Sequence, residues 1–364
     1  MMRPIPLIIS VCVGVFICFS LIMWMQQDPN PELVVQNTPD NSLKPHKVLK
    51  SISPKPDAIV PMTDDFKQSI KGIAKSFASQ SRFPATSMPI QSEEALQKYI
   101  PNQTVGASLP YEGPDGESLR FSLRTNKFRY FEDETIEVFV GLMSGNEPIE
   151  ADIVVSVVAD REELYRVAHG PLNLGAFKAA INTQEINTDN WPKELHLQAV
   201  AMINGETMQV VETIRFEAQI ASVKSVGKGA VEDDYLVIPV AIDTDAKGYF
   251  RVTGVLFSEE TGKPLVHLEG KSKISINNDT VNLKAQLRAL QVSKDEGPYQ
   301  LKHLWLEKMP GPPDYEMAYG VADEDAYPVA KHSFDEYADN DFEDPAAQRS
   351  LEFLQKIGGD THPE

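Results

Sequence analysis

Carboxylates and imidazoles are the side chains whose number could support chemistry in this sequence, because both cysteines, Cys12 and Cys18, lie in an uncharged apolar run. A thiolate nucleophile or a Cys-based zinc site is thereby excluded from the rest of the chain. The seven histidines, His46, His169, His196, His267, His303, His332 and His362, are scattered. No G-x-S-x-G, H-E-x-x-H or G-x-x-x-x-G-K-[ST] phrase places a nucleophile, base or phosphate cradle at working distance. Asp233, Asp234, Asp243 and Asp245 fall in turn-like stretches, where aspartate is favoured by local backbone hydrogen bonding. A carboxylate-based hydrolase or carbohydrate-active protein would have to rest on them.

Acids are densest near the C-terminus, where Asp339, Asp341 and Glu343 form the best candidate metal cluster. Calcium prefers such oxygen-rich sets, yet the glycine of an EF-hand loop and its bidentate glutamate at the twelfth place are missing. A run of acids is more simply a solvated segment. The expectation is a non-enzyme with no resident cofactor and no catalytic residue, calcium being the one ion the composition could suit.

Residues 4–25 decide how these groups are held. All twenty-two are uncharged, and at about 1.5 Å per residue a helix of that length spans roughly 33 Å, enough for a bilayer core. Arg3 precedes the run while Asp28 and Glu32 follow it, which predicts a cytoplasmic stub (1–3), a signal anchor (4–25) and everything else outside the cytosol. No small-residue cleavage pattern follows Trp24, so the segment is expected to stay attached. Its partner is then the lipid bilayer. The chain without disulfides suits a bacterial inner membrane with the body in the periplasm. A net charge of −19 argues against nucleic acid, which needs clustered Lys and Arg.

Residues 26–104 are expected to form a Pro-rich linker with short helices, Pro29, Pro31, Pro39, Pro45, Pro54, Pro56 and Pro61 recurring among polar residues. Within it Thr63 can cap a helix whose Phe66, Ile70, Ile73 and Phe77 share one face. That face could dock on a partner or pack on the folded body.

From residue 105 the period changes to two. Segments 118–124, 134–142, 151–159, 174–181, 194–203 and 208–216 alternate or run apolar, separated by turn signals such as Asn204-Gly205. Segments 220–226, 235–242, 248–257, 264–269, 281–289 and 299–306 repeat the rhythm. The reading is mainly β: one sandwich over 105–218 and a second over 219–310.

The run from Tyr130 to Val138, followed by Gly145-Asn146-Glu147-Pro148-Ile149 and the strand 152–158, resembles the strand, turn and strand phrase of macroglobulin-like and immunoglobulin-like sandwich domains. The resemblance implies tandem Ig-like modules of the cell envelope that serve adhesion, spacing or partner binding. The thioester of macroglobulin chains is absent.

Residues 311–364 hold fourteen acids against Lys331, Arg349 and Lys356. Tyr315, Tyr319, Tyr327, Phe334, Tyr337 and Phe342 interleave with them and need somewhere to bury, so part of this tail should lie across a sandwich. The chain closes on a C-terminal helix with Asp344 as N-cap, Pro345 at its first position, Ala347, Leu351 and Leu354 on one face with Ile357 beside them, and Gly358-Gly359 as the stop. Its apolar stripe either packs on the second sandwich or captures another envelope protein. Taken together the sequence points to a membrane-tethered periplasmic binding or assembly module, with a hydrolase and a passive spacer as the alternatives.

Overall fold

The computed structural model of the 364-residue chain describes residues 63–113, 116–203, 205–312, 315–340 and 342–359. The expected membrane segment and residues 26–62 of the expected linker lie outside the described residues. Among the described residues no helix is long and apolar enough to cross a membrane.

The fold is mainly β, with two sandwiches in tandem. In the first, one sheet orders the strands Arg129–Phe131, Glu206–Glu217, Glu194–Ile203, Asp152–Ala159 and Glu162–Pro171. It faces a sheet of Ala107–Glu112, Ser118–Thr125, Thr135–Ser144, Glu147–Pro148 and Ala176–Asn182. Alternation explains which side chains meet: Ile136, Val138, Val140 and Leu142 all point inward from one strand, onto Val155, Leu197 and Phe121 in the same core. Non-glycine residues take positive φ at the tight turns, Asp133 at 71° and the pair Asp160 and Arg161 at 50° and 70°, the last two closing a hairpin.

In the second sandwich, Pro264–Ile274, Gly248–Ser258 and Tyr299–Lys308 form the centre of a six-stranded sheet. Ser87–Pro89, from the stretch ahead of the first sandwich, adds to one edge, and Ala318–Gly320 and Ala326–Val329, from the acidic tail, add to the other. The opposing sheet is Ser222–Val226, Tyr235–Asp243, Ala230–Glu232 and Thr280–Gln286. The tail is thus part of this body. Tyr327, Val329 and Tyr337 are buried in its core, and Phe334 packs against it. Three aromatic rings and a valine explain why so acidic a segment is ordered: burying them outweighs the cost of ordering it only because the carboxylates stay at the surface.

Residues 318–321 also bond the connection between the sandwiches. Ile220 N donates to Tyr319 O at 3.0 Å, Val321 N to Ala221 O at 3.0 Å and Val223 N to Val321 O at 3.0 Å. Gly320 permits this approach, since a Cβ there would lie 2.4 Å from the Ala221 carbonyl oxygen.

Four α-helices complete the described chain: α1 (Asp64–Gln80), α2 (Glu93–Leu96), α3 (Leu287–Gln291) and α4 (Pro345–Gly358). Thr63 Oγ1 accepts from Phe66 N at 3.4 Å to cap α1, and Asp344 Oδ1 accepts from Ala346 N at 2.8 Å and Ala347 N at 3.1 Å to cap α4. Gly359 ends α4 in the left-handed conformation. The two long helices pack on one another, Gly358 lying against Ile70 and Lys71.

Candidate functional site

In a sandwich one face of each strand is spent on the core, so a site can be built only from the opposite face. Along Gly248–Ser258 the core takes Phe250, Val252 and Leu256, leaving Arg251, Thr253, Val255 and Phe257 outward. Ile90, Val255 and Phe257 form a small cluster with Ala95, Leu96 and Tyr99, which covers one end of this outer face. The other end stays open. Strand register sets its side chains in rows: Tyr319, Glu307, Arg251 and Lys271 lie across four strands, with Trp305, Thr253 and Glu269 beside them and His267 next.

Asn102, Phe128 and Arg129, beside and within the first sandwich, stand over this floor and close a cleft of about 470 Å³. That volume falls within the ~300–1,000 Å³ of small-molecule sites. Asn102 holds the wall in place: its Oδ1 accepts from Arg129 N at 2.6 Å and its Nδ2 donates to Arg129 O at 2.7 Å. Rings join the two bodies. Phe131 and Trp305 have centroids 6.4 Å apart, Trp305 and Tyr319 5.7 Å, and the Arg129 guanidinium sits 3.7 Å from the Tyr319 ring centre.

Four of the charges lining the cleft are matched before any ligand arrives. Arg129 pairs with Glu217, while burial pulls its pKa below the ordinary guanidinium value. Arg251 Nε donates to Glu307 Oε2 at 2.6 Å, and Glu307 Oε1 accepts from Trp305 Nε1 at 3.2 Å, so one carboxylate orients both an arginine and an indole. Lys271 pairs with Glu269 at 2.9 Å. Lys98 contributes a further cation at the rim.

His267 stacks on Tyr99 with ring centres 4.1 Å apart, and its Nδ1 is buried with no hydrogen-bond partner. Burial lowers its pKa from 6.5 to about 4, so it is neutral at pH 7. An orphaned lone pair is cheaper to bury than an orphaned N–H, so the proton belongs on Nε2. Between pH 6.5 and about 4 the unfolded chain binds a proton here that the folded chain refuses, so stability falls as pH drops through that window. His267→Gln should flatten this slope, removing on the order of 2 kcal/mol of acid sensitivity measured by urea unfolding at pH 7 and pH 4.5. An unchanged slope would mean the ring is solvated.

The residues singled out in the sequence lie elsewhere. Asp233 has φ 54° and its carbonyl accepts from Ala338 N; Asp234 O accepts from Leu287 N and its Oδ2 from Gln286 Nε2 at 3.5 Å. Asp243 stands in register with Ser222, Asp245 follows Thr244, and none of the four lines the cleft. Asp339 pairs with Arg288 at 2.9 Å, Glu343 is exposed, and Asp341 lies outside the described residues. Among the described residues no three or more His, Cys, Asp or Glu are placed to hold a metal. On the helices, Ile70, Phe77, Leu351, Leu354 and Ile357 are half-buried, whereas Phe66 and Ile73 remain 49% and 41% exposed. The two apolar stripes, each expected either to dock on a partner or to pack on a sandwich, sit on helices that pack together.

Sequence reasoning missed the cleft. Its residues come from six separated segments and each is an ordinary outward position of a strand or a loop. The one local signal was His267 and Glu269 alternating with buried Val266 and Leu268 in a strand whose outward face carries other polar groups.

No family model matches the chain, and no curated protein matches it. Similar solved structures include a DUF4785 family protein from Legionella pneumophila, at 14% identity over 58% of this chain and 57% of that one, TM-score 0.40. Escherichia coli alpha-2-macroglobulin is similar at 10% identity over 62% of this chain and 24% of its own, TM-score 0.24. A chimeric titin Z1Z2 is similar at 11% identity over 59% and 98%, TM-score 0.22. This chain spans 57% of the Legionella protein's length. These neighbours include immunoglobulin-like and macroglobulin-like β-sandwich proteins.

Proposed function

We propose that the protein is a membrane-tethered binding module of the cell envelope, whose ligand occupies the cleft between its two sandwiches. The observation that carries this reading is the cleft's preset wall: Glu307 fixes Arg251 and Trp305 at once, and Asn102 fixes the segment that carries Arg129. A passive spacer has no use for side chains ordered around open volume, whereas a binder gains by having paid their ordering in advance. The tether rests on the uncharged run 4–25.

Alkaline phosphatase fused after Val60 should be active; an inactive fusion beside an active cytoplasmic reporter would reverse the localisation. For the cleft itself, Thr253→Cys in a Cys12→Ala, Cys18→Ala background gives the chain a single thiol on the floor. An environment-sensitive dye placed there should shift on titration with one class among neutral oligosaccharides, anionic oligosaccharides, peptides and lipid vesicles. Silence to all four classes would leave the spacer reading.

A further inference from the structure

We infer that two copies of the chain pair edge to edge through the strand Ala176–Asn182. The cleft plays no part in this contact.

A strand at the edge of a sheet offers unpaired N–H and C=O groups to any other strand, and proteins block such edges with prolines, bulges or covering segments. Blocks of this kind recur in both sandwiches. Ala107–Glu112 contains Pro110 and Ala326–Val329 contains Pro328. Glu162–Pro171 breaks register twice along its partner. Arg129–Phe131 is held by Asn102 and by Glu134, whose Oε2 accepts from Phe131 N at 3.1 Å. Ala318–Gly320 is covered by the connection between the sandwiches, Ile220 N donating to Tyr319 O.

Ala176–Asn182 carries no such device. It pairs with Thr135–Ser144 in unbroken register, and among the described residues no strand pairs with its other side. Leu142 N donates to Gly175 O at 2.9 Å, so by alternation the odd-numbered residues bond to that neighbour and the even-numbered ones turn their backbone groups away from it. Ala176 has the same phase, both its groups being bonded to Asn173 within the preceding turn. Lys178 and Ala180 follow, both exposed, and the N–H and C=O of each face away from the sheet.

This edge is complementary to itself. A twofold axis at Ala179 sets Lys178 of each copy against Ala180 of the other, and each such pair exchanges N–H···O bonds in both directions. On the outer face Lys178, held at 2.5 Å by its own Glu137, then looks across the Ala180 methyl of the other copy to that copy's Glu137, two strand spacings or about 10 Å away. No like charges are directly opposed across the seam. On the inner face Phe177 meets Ile181 of the other copy, and Ala179 meets its own counterpart. Phe177 and Ala179 are only half-buried in one chain although they share the inward face with buried Ile181, so the pairing covers a flank of the core that the edge leaves open. A strand from another protein would use the same backbone groups and leave the purified chain monomeric.

Sedimentation equilibrium of the full chain in detergent tests this, with a mass expected at twice that of one chain. Single cysteines in the Cys12→Ala, Cys18→Ala background read the register. Ala179→Cys should be bridged on oxidation, since opposed residues of a non-bonded pair lie about 4.5 Å apart at Cα; Ala180→Cys should not, its counterpart lying beyond the roughly 7 Å that a disulfide spans. Ala180→Pro removes only an outward N–H, so it should abolish both the dimer and the bridge at residue 179 while leaving the far-ultraviolet circular dichroism of the chain unchanged. Lys178→Glu, at an exposed side chain, covers the case in which the proline disturbs the strand: it should weaken the dimer at least about tenfold, and Glu137→Lys added to it should restore the affinity. A monomeric chain, or a dimer that keeps its mass in both Ala180→Pro and Lys178→Glu, overturns the proposal. Bridging at residue 180 with none at 179 overturns it as well, because the match depends on the axis at Ala179.

Discussion

Phe250→Ala is expected to destabilise the second sandwich by about 3–5 kcal/mol. The ring is fully buried in the core cluster that also holds Val252, Leu268, Leu283 and Leu306. Gly248–Ser258, which carries the ring, is paired along its length with Pro264–Ile274 on one side and Tyr299–Lys308 on the other, which limits how far the site can close on the cavity. Urea unfolding followed by Trp305 emission checks this, with Trp24 and Trp191 replaced by Phe so that Trp305 is the single indole. A loss below about 1 kcal/mol would mean that the second core is loosely packed.

Gly320→Ala is the second large effect. Its added methyl would meet the Ala221 carbonyl oxygen at 2.4 Å and the Ala221 carbon at 2.9 Å, backbone atoms with no rotamer to give. Relief requires the 318–321 strand to lift from the connection between the sandwiches, breaking the bonds of Ile220 N, Val321 N and Val223 N. We expect a loss of about 2–4 kcal/mol and, more diagnostically, faster amide exchange at those three positions. Tyr319 should leave Arg129 at the same time, since residue 319 is placed by the strand that lifts. Unchanged protection at Ile220 and Val321 would show that the tail is not the clamp described above.

The strand-rich blocks were legible because burial stamps a period of two on the sequence wherever one face is spent on a core. The phrase 134–142 shows it plainly, Ile136, Val138, Val140 and Leu142 alternating with half-exposed residues. Where burial is absent the signal vanishes. Glu162–Pro171 is an edge strand with no buried residue, and it pairs with Asp152–Ala159 all the same. Its turn is made by Asp160 and Arg161, neither of them the glycine that usually marks a hairpin. The tail strands Ala318–Gly320 and Ala326–Val329 are three and four residues long, too short to show a period. Their presence in the sheet was readable only as a demand that Tyr327, Phe334 and Tyr337 be buried somewhere.

The cleft illustrates a different limit. Arg251, Glu269 and Glu307 are outward charges of a kind every sandwich carries, and nothing within seven residues of each distinguishes them from solvated ones. They matter because register aligns Arg251 with Glu307 and Lys271, and because Tyr319 and Arg129 arrive from distant parts of the chain. The helices pose the opposite limit. Helical spacing puts an apolar stripe on each, but one sequence cannot say that two stripes some 280 residues apart lie on helices that pack on each other.

On the binding-module proposal, contact with other molecules is made in the cleft and not on the α1–α4 pair. A photo-crosslinking amino acid placed at Thr253, and separately at Phe353, the 63%-exposed ring of α4, compares the two surfaces in the membrane-anchored full chain. Irradiation should give one adduct from position 253, abolished by Trp305→Ala, and none from position 353. An adduct from position 353 with silence at 253 would contradict the account and move the binding surface to the helices.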